Sequence, residues 1–175
     1  MNALGIDLGK HDGFIYIAAE HRTGLWAYQS RITGHRTFRT GGQLPTTASA
    51  HSLLVLALLT GLRDISKAQA AELVKKANAG LTKPRILVTS LDSTFCDALQ
   101  DKMRGQQNGK PLRAGKNFLI ELARQLARFS VTFETDPDST ICYSLKNWAV
   151  RSIHDPKAAQ RIPASLAPSA VSEVC

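Results

Sequence analysis

The sequence predicts an α/β fold: a mixed five-stranded sheet, made of a three-stranded antiparallel meander plus parallel strands, flanked by helices. Three observations predict it. Strand-like alternation fills the first 32 residues, and an almost wholly apolar helix follows at 48–62. A short apolar strand at 85–90 then runs straight into an acid and another helix.

The first stretch, Leu4-Gly5-Ile6-Asp7-Leu8-Gly9, alternates apolar residues with Gly, Asp and Gly, the period of a strand with one buried face. A carboxylate inside such a strand is costly to bury without a donor, cation or metal beside it, which makes Asp7 a candidate functional residue. Lys10-His11-Asp12-Gly13 reads as a turn, and 14–19 as a second strand rich in β-branched and aromatic residues. A turn at 21–24 leads to a third strand at 25–32. Residues 34–45, with Gly41-Gly42 at the bend, read as an irregular loop carrying His35, Arg36 and Arg39.

Thr46 or Thr47 suits the N-cap of the helix at 48–62, which is apolar on nearly every side and is therefore expected inside the protein. Ser66 suits the cap of a more polar helix at 67–79, whose Lys75 and Lys76 read first as a solvated face. The strand at 85–90 has the composition of a parallel strand buried on both sides. Asp92 follows it, at the place where open α/β sheets put their ligands. The plainer reading makes Asp92 the N-cap of a helix at 94–103, and the two are compatible. Residues 104–116 form a basic, glycine-rich excursion with no acid in it. Asn117 suits the cap of an amphipathic helix at 118–129, with Phe118, Leu119, Leu122, Leu126 and Phe129 inward. A strand at 130–134, a turn at 135–139 and a helix at 140–153 complete the pattern. From Asp155 onward Pro, Ala and Ser dominate, so one domain is expected over 1–154 and a flexible tail over 155–175.

A hydrophobic share of 43% and a charged share of 21% are those of an ordinary globular protein. The formal charge of +8 and a pI near 9.7 favour a polyanionic partner, nucleic acid ahead of an acidic membrane surface. With 6% aromatic residues, single-strand binding by base stacking is disfavoured. Cys96, Cys142 and Cys175 are odd in number and widely spaced, and make neither a disulfide framework nor a Cys-x-x-Cys knuckle. The longest apolar run, 53–59, is far too short to cross a bilayer, and no apolar signal region precedes the first strand-like residues. A cytoplasmic protein with no membrane contact is expected.

The order of elements resembles the ribonuclease H-like superfamily, over roughly residues 2–151. Gly5-Ile6-Asp7-Leu8-Gly9 is similar to that family's first-strand acid and glycine turn, and Thr46-Thr47 to its approach to the first helix. Ile86-Leu87-Val88-Thr89-Ser90-Leu91-Asp92-Ser93 is similar to its fourth strand and strand-end acid. The loop at 102–116 and the helix after it resemble its basic handle. The resemblance implies carboxylates that hold two Mg²⁺ or Mn²⁺ ions about 4 Å apart for phosphodiester cleavage. Asp7 and Asp92 match two of its four acids. The third position falls on Ala50-His51-Ser52-Leu53, and no acid occurs anywhere in 46–63. The fourth falls on Cys142-Tyr143-Ser144, with Asp136 and Asp138 just upstream; Asp138 is the stand-in candidate. His51 is a candidate nitrogen ligand suited to Zn²⁺ or Mn²⁺, and its plainer reading is a polar residue in a first helical turn.

The expected function is nucleic-acid binding by a ribonuclease H-like domain with an impaired or inactive nuclease site. Asp7 and Asp92 would form a residual Mg²⁺ or Mn²⁺ pair. Lys102, Arg104, Lys110, Arg113 and Lys116 would touch the phosphates of a duplex or RNA/DNA hybrid. The plainer reading of those cations is a solubilising connection. Two alternatives stand beside this one: an active metal-dependent endonuclease of the ribonuclease H or junction-resolvase type, and a protein-interaction module. Gly5-Ile6-Asp7-Leu8-Gly9 also resembles the first phosphate loop of sugar-kinase or actin-like nucleotide binders, but those need two such halves and this chain has room for one.

Overall fold

The computed structural model describes residues 11–32, 37–69, 83–106, 109 and 111–154, with side chains to residue 152. Asp7, Lys75, Lys76, Lys110, Cys175 and the expected tail lie outside the described residues. The described elements are β1 (Gly13–Glu20), β2 (Leu25–Ile32), β3 (Thr37–Gln43), α1 (Ala50–Ala68), β4 (Arg85–Ser90), α2 (Ser93–Met103), α3 (Lys116–Leu126), β5 (Ser130–Thr135) and α4 (Thr140–His154). The strands form one sheet in the order β3-β2-β1-β4-β5. β2 pairs antiparallel with β1 and β3, whereas β4 runs parallel to both β1 and β5. This is the mixed sheet that the sequence predicts.

The meander, however, sits one strand later than expected. Its first strand is the expected second one, and its third strand occupies the segment read as a loop at 34–45. The two glycines that suggest a bend are crowded strand positions. A Cβ on Gly41 would lie 2.8 Å from the Trp26 carbonyl oxygen and 3.1 Å from the Trp148 ring; one on Gly42 would lie 2.9 Å from the Trp26 indole. Close approach, not chain reversal, selects glycine there. Gly24 is the true turn glycine of the β1–β2 hairpin, with φ +71° and its carbonyl accepting the Leu44 N–H at 2.8 Å.

α1 begins at Ser49, not at Thr46 or Thr47: the Ser49 hydroxyl accepts the Ser52 N–H at 3.1 Å. The helix runs on through Ser66, the expected cap of a new helix, to Ala68. Its apolar character on all sides is explained by its position. Leu53, Leu58, Leu62 and Ile65 are buried against Ile15, Ile17, Trp26 and Tyr28 of the sheet, and Phe118 and Leu122 of α3 join the same core. α4 covers the opposite face through Cys142, Leu145 and Ala149, which pack on Phe14, Tyr16, Ala18 and Ala27. α3 starts at Lys116 with Gly115 at its N-cap and no side-chain cap bond, so Asn117 is not the cap. Tyr28, fully buried, gives its hydroxyl to Asp64 of α1, and burial holds its proton well above the usual phenol range. Burial likewise pushes the Cys96 thiol up to about 11 and raises that of Cys142; both cysteines are free. Among the described residues no helix is long and apolar enough to cross a membrane.

Candidate nucleic-acid interface

The parallel strands β1, β4 and β5 all end at one edge of the sheet, the edge where such sheets bind ligands. Asp92 lies there, two residues beyond the last residue of β4, in extended backbone with φ −97° and ψ 105°. It is the N-cap of α2. Its Oδ1 accepts the Phe95 N–H at 3.0 Å and the Thr94 hydroxyl at 2.7 Å, which satisfies one of the helix's free donors.

From Thr94 the contacts run to α1 and on to the basic loop. His51 Nε2 is 3.3 Å from Thr94 Oγ1, and His51 Nδ1 accepts the Arg113 N–H at 3.1 Å. A backbone N–H only donates, so Nδ1 carries a lone pair and the ring proton belongs on Nε2. The bonds therefore have one direction: Arg113 N–H to His51, His51 to Thr94, Thr94 to Asp92. The imidazole stands edge-on to Phe95, with centroids 5.7 Å apart. One residue before the helix, the Ser49 hydroxyl donates to the Arg113 carbonyl at 2.5 Å. Both backbone polar groups of Arg113 are thus held by side chains from the start of α1.

The other acids are arranged differently. The strand beside β4 is β1, whose last ladder pair is Ile17 with Ser90. Two residues past that pair stand Ala19 on β1 and Asp92 at the N-cap of α2. The one acid of β1, Glu20, pairs with Lys146 of α4 at 2.7 Å, and that bond holds its carboxyl below the usual range. Asp136 donates its N–H to the Ser90 carbonyl, and its Oδ1 accepts the Asp138 N–H at 3.1 Å; the Asp138 side chain is exposed. At the start of α4, Cys142 is buried with its thiol on the Thr89 carbonyl, and Tyr143 is exposed. Among the described residues no three His, Cys, Asp or Glu side chains converge as metal ligands, and both nitrogens of His51 are engaged. The described side chains at this edge therefore do not fit a pair of divalent ions.

Four of the predicted phosphate contacts are described. Lys102 and Arg104 lie at the C-terminal end of α2, about 16 Å along the helix from its capped start. Arg113 and Lys116 lie where the chain returns to the Asp92 edge. All four are exposed, and none is paired with an acid among the described residues. The loop between them leaves α2 through Gly105 at φ +69°, and the Gln106 N–H bonds the Asp101 carbonyl at 3.0 Å. Arg85, by contrast, pairs with Asp12 at 3.6 Å at the opposite end of β4.

The sequence matches no protein-family model and no curated protein. The fold does have a match among solved structures, the crystal structure of LC11-RNase H1 in complex with RNA/DNA hybrid. It superposes with a TM-score of 0.53 at 14% sequence identity, over 82% of this chain and 99% of that one. The fold is ribonuclease H-like. Within this ribonuclease H-like sheet, sequence reasoning finds Asp92 at the strand end and the basic return loop. It misses the part played by His51 and Ser49. The available signal is small: two polar residues at the first turn of an otherwise apolar helix.

Proposed function

We propose that this protein binds nucleic acid through phosphate contacts and that its nuclease site is impaired or lost. The observation that carries the reading is the exposure of four cations, Lys102, Arg104, Arg113 and Lys116, without acid partners among the described residues, with Arg113 held at the same edge as Asp92. Lys110 belongs to the same loop by sequence. Such a surface recognises backbone charge and helix shape more readily than base sequence. The ribonuclease H1 of matching fold was solved with an RNA/DNA hybrid, so a hybrid is the first ligand to test.

Impaired cleavage rests on chemistry at the edge. Ala19 stands two residues past the last β1–β4 pair, as Asp92 does, the Asp92 Oδ1 already holds Thr94 and Phe95, and no acid occurs in 46–63. Asp7 and Asp138 are kept as candidate partners of Asp92 for a residual Mg²⁺ or Mn²⁺ ion. The test is fluorescence anisotropy with hybrid, duplex and junction substrates at low and raised salt, followed by incubation with Mg²⁺ or Mn²⁺. Hybrid binding that falls steeply with salt, without cleavage, supports the reading. Cleavage that Asp7→Asn or Asp92→Asn abolishes replaces it with an active nuclease. Absence of binding at low salt favours a protein-interaction module.

A further inference from the structure

We propose that His51 is a positioning residue for Arg113: it fixes the root of a loop cation that meets phosphate beside Asp92. This rests on the nucleic-acid-binding reading above and adds to it a residue that carries no charge in the required tautomer.

The geometry around Arg113 is that of a clamped backbone with a free side chain. Leu112 before it and Ala114 after it are partly buried against the main core, and the Ala114 N–H bonds the Leu112 carbonyl at 3.1 Å. Between them the Arg113 N–H goes to His51 Nδ1 and the Arg113 carbonyl takes the Ser49 hydroxyl. The guanidinium is left exposed. An arginine on a loose loop must give up backbone freedom as well as rotamer freedom when it binds. Here the backbone part is lost in folding, so less remains to oppose binding. His51 is itself braced by Thr94 on Nε2 and by Phe95 against the ring, which keeps Nδ1 aimed at the loop. The strand-end carboxylate completes the brace through Thr94. In this arrangement Asp92 orders the loop as well as capping α2.

A merely structural histidine and a positioning one differ in their coupling to Arg113. The experiment measures hybrid affinity against salt for wild type, Arg113→Ala, His51→Ala and the double variant, with a thermal melt of each. Arg113→Ala is expected to weaken binding about fivefold to tenfold and to lower the salt slope by about 0.9, the value for one neutralised phosphate. His51→Ala is expected to weaken it about fivefold, and the double variant to bind no more weakly than Arg113→Ala alone. His51→Asn, whose Oδ1 can stand where Nδ1 stands, is expected to recover most of the loss, and His51→Gln is not. ¹⁵N NMR of the wild type supplies a readout that needs no variant: a bare Nδ1 and a protonated Nε2 support the proposal, and the opposite tautomer overturns it. Losses that add in the double variant overturn it while leaving nucleic-acid binding intact. A wild-type protein that binds no hybrid at low salt removes both readings.

Discussion

Ile17 pairs with Ser90 at the last rung of the parallel ladder between β1 and β4, and Ala19 on β1 and Asp92 beyond β4 each lie two residues past that rung. β1 carries a methyl group, not a carboxylate, two residues past that rung. Ala19→Asp is expected to destabilise the protein by about 1 kcal/mol in the presence of chelator, through repulsion between the two carboxylates. Mn²⁺ should reverse this, since saturating a new site at 100 times its Kd contributes about 2.7 kcal/mol. Scanning fluorimetry with and without Mn²⁺ checks it, and a variant indifferent to Mn²⁺ counts against Ala19 and Asp92 being neighbours.

Gly41 is a strand glycine pressed between the Trp26 carbonyl and the Trp148 ring. Gly41→Val is expected to lower stability by about 1–3 kcal/mol, because backbone, not a flexible side chain, meets the new Cβ. A urea melt measures the change. A midpoint equal to wild type would return this segment to the loop that its composition suggests.

Glu20 and Lys146 join β1 to α4 at the surface, with side-chain exposures of 24% and 36%. Lys146 holds the Glu20 carboxyl below its ordinary range. The pair's contribution is therefore full above the unfolded carboxyl pKa, about 4.3, and is lost as pH falls through the lower folded value. Lys146→Ala is expected to cost about 0.5 kcal/mol near neutral pH, discounted for solvent screening. The gap between variant and wild type should close below about pH 4 and shrink in high salt. A gap that persists in acid would mean that Lys146 acts by packing.

Asp92 and α2 are legible in the sequence because the cap is local: the carboxylate, the Thr94 hydroxyl and the Phe95 N–H lie within four consecutive residues. β4 is readable from a short apolar run and β5 from polar–apolar alternation, each between clear turns. The meander is not, since the alternation at 4–9 satisfies a strand's period as well as that of Gly13–Glu20 does. What places Gly13–Glu20 in the sheet is its pairing with β2 and β4, and that pairing is tertiary. For the same reason Gly41 and Gly42 mimic a bend until Trp26 is seen against them. The bond between His51 and Arg113 joins residues 62 apart and leaves no local mark.

The most direct measurement is the salt dependence of hybrid binding for the wild type and for a variant with Lys102, Arg104, Arg113 and Lys116 all changed to Ala. If these side chains meet phosphate, the slope of log K against log salt should fall by about 3 to 4 in the variant, near 0.9 for each phosphate left without its cation. An unchanged slope, or a wild-type protein that does not bind hybrid at low salt, would contradict nucleic-acid binding by these cations.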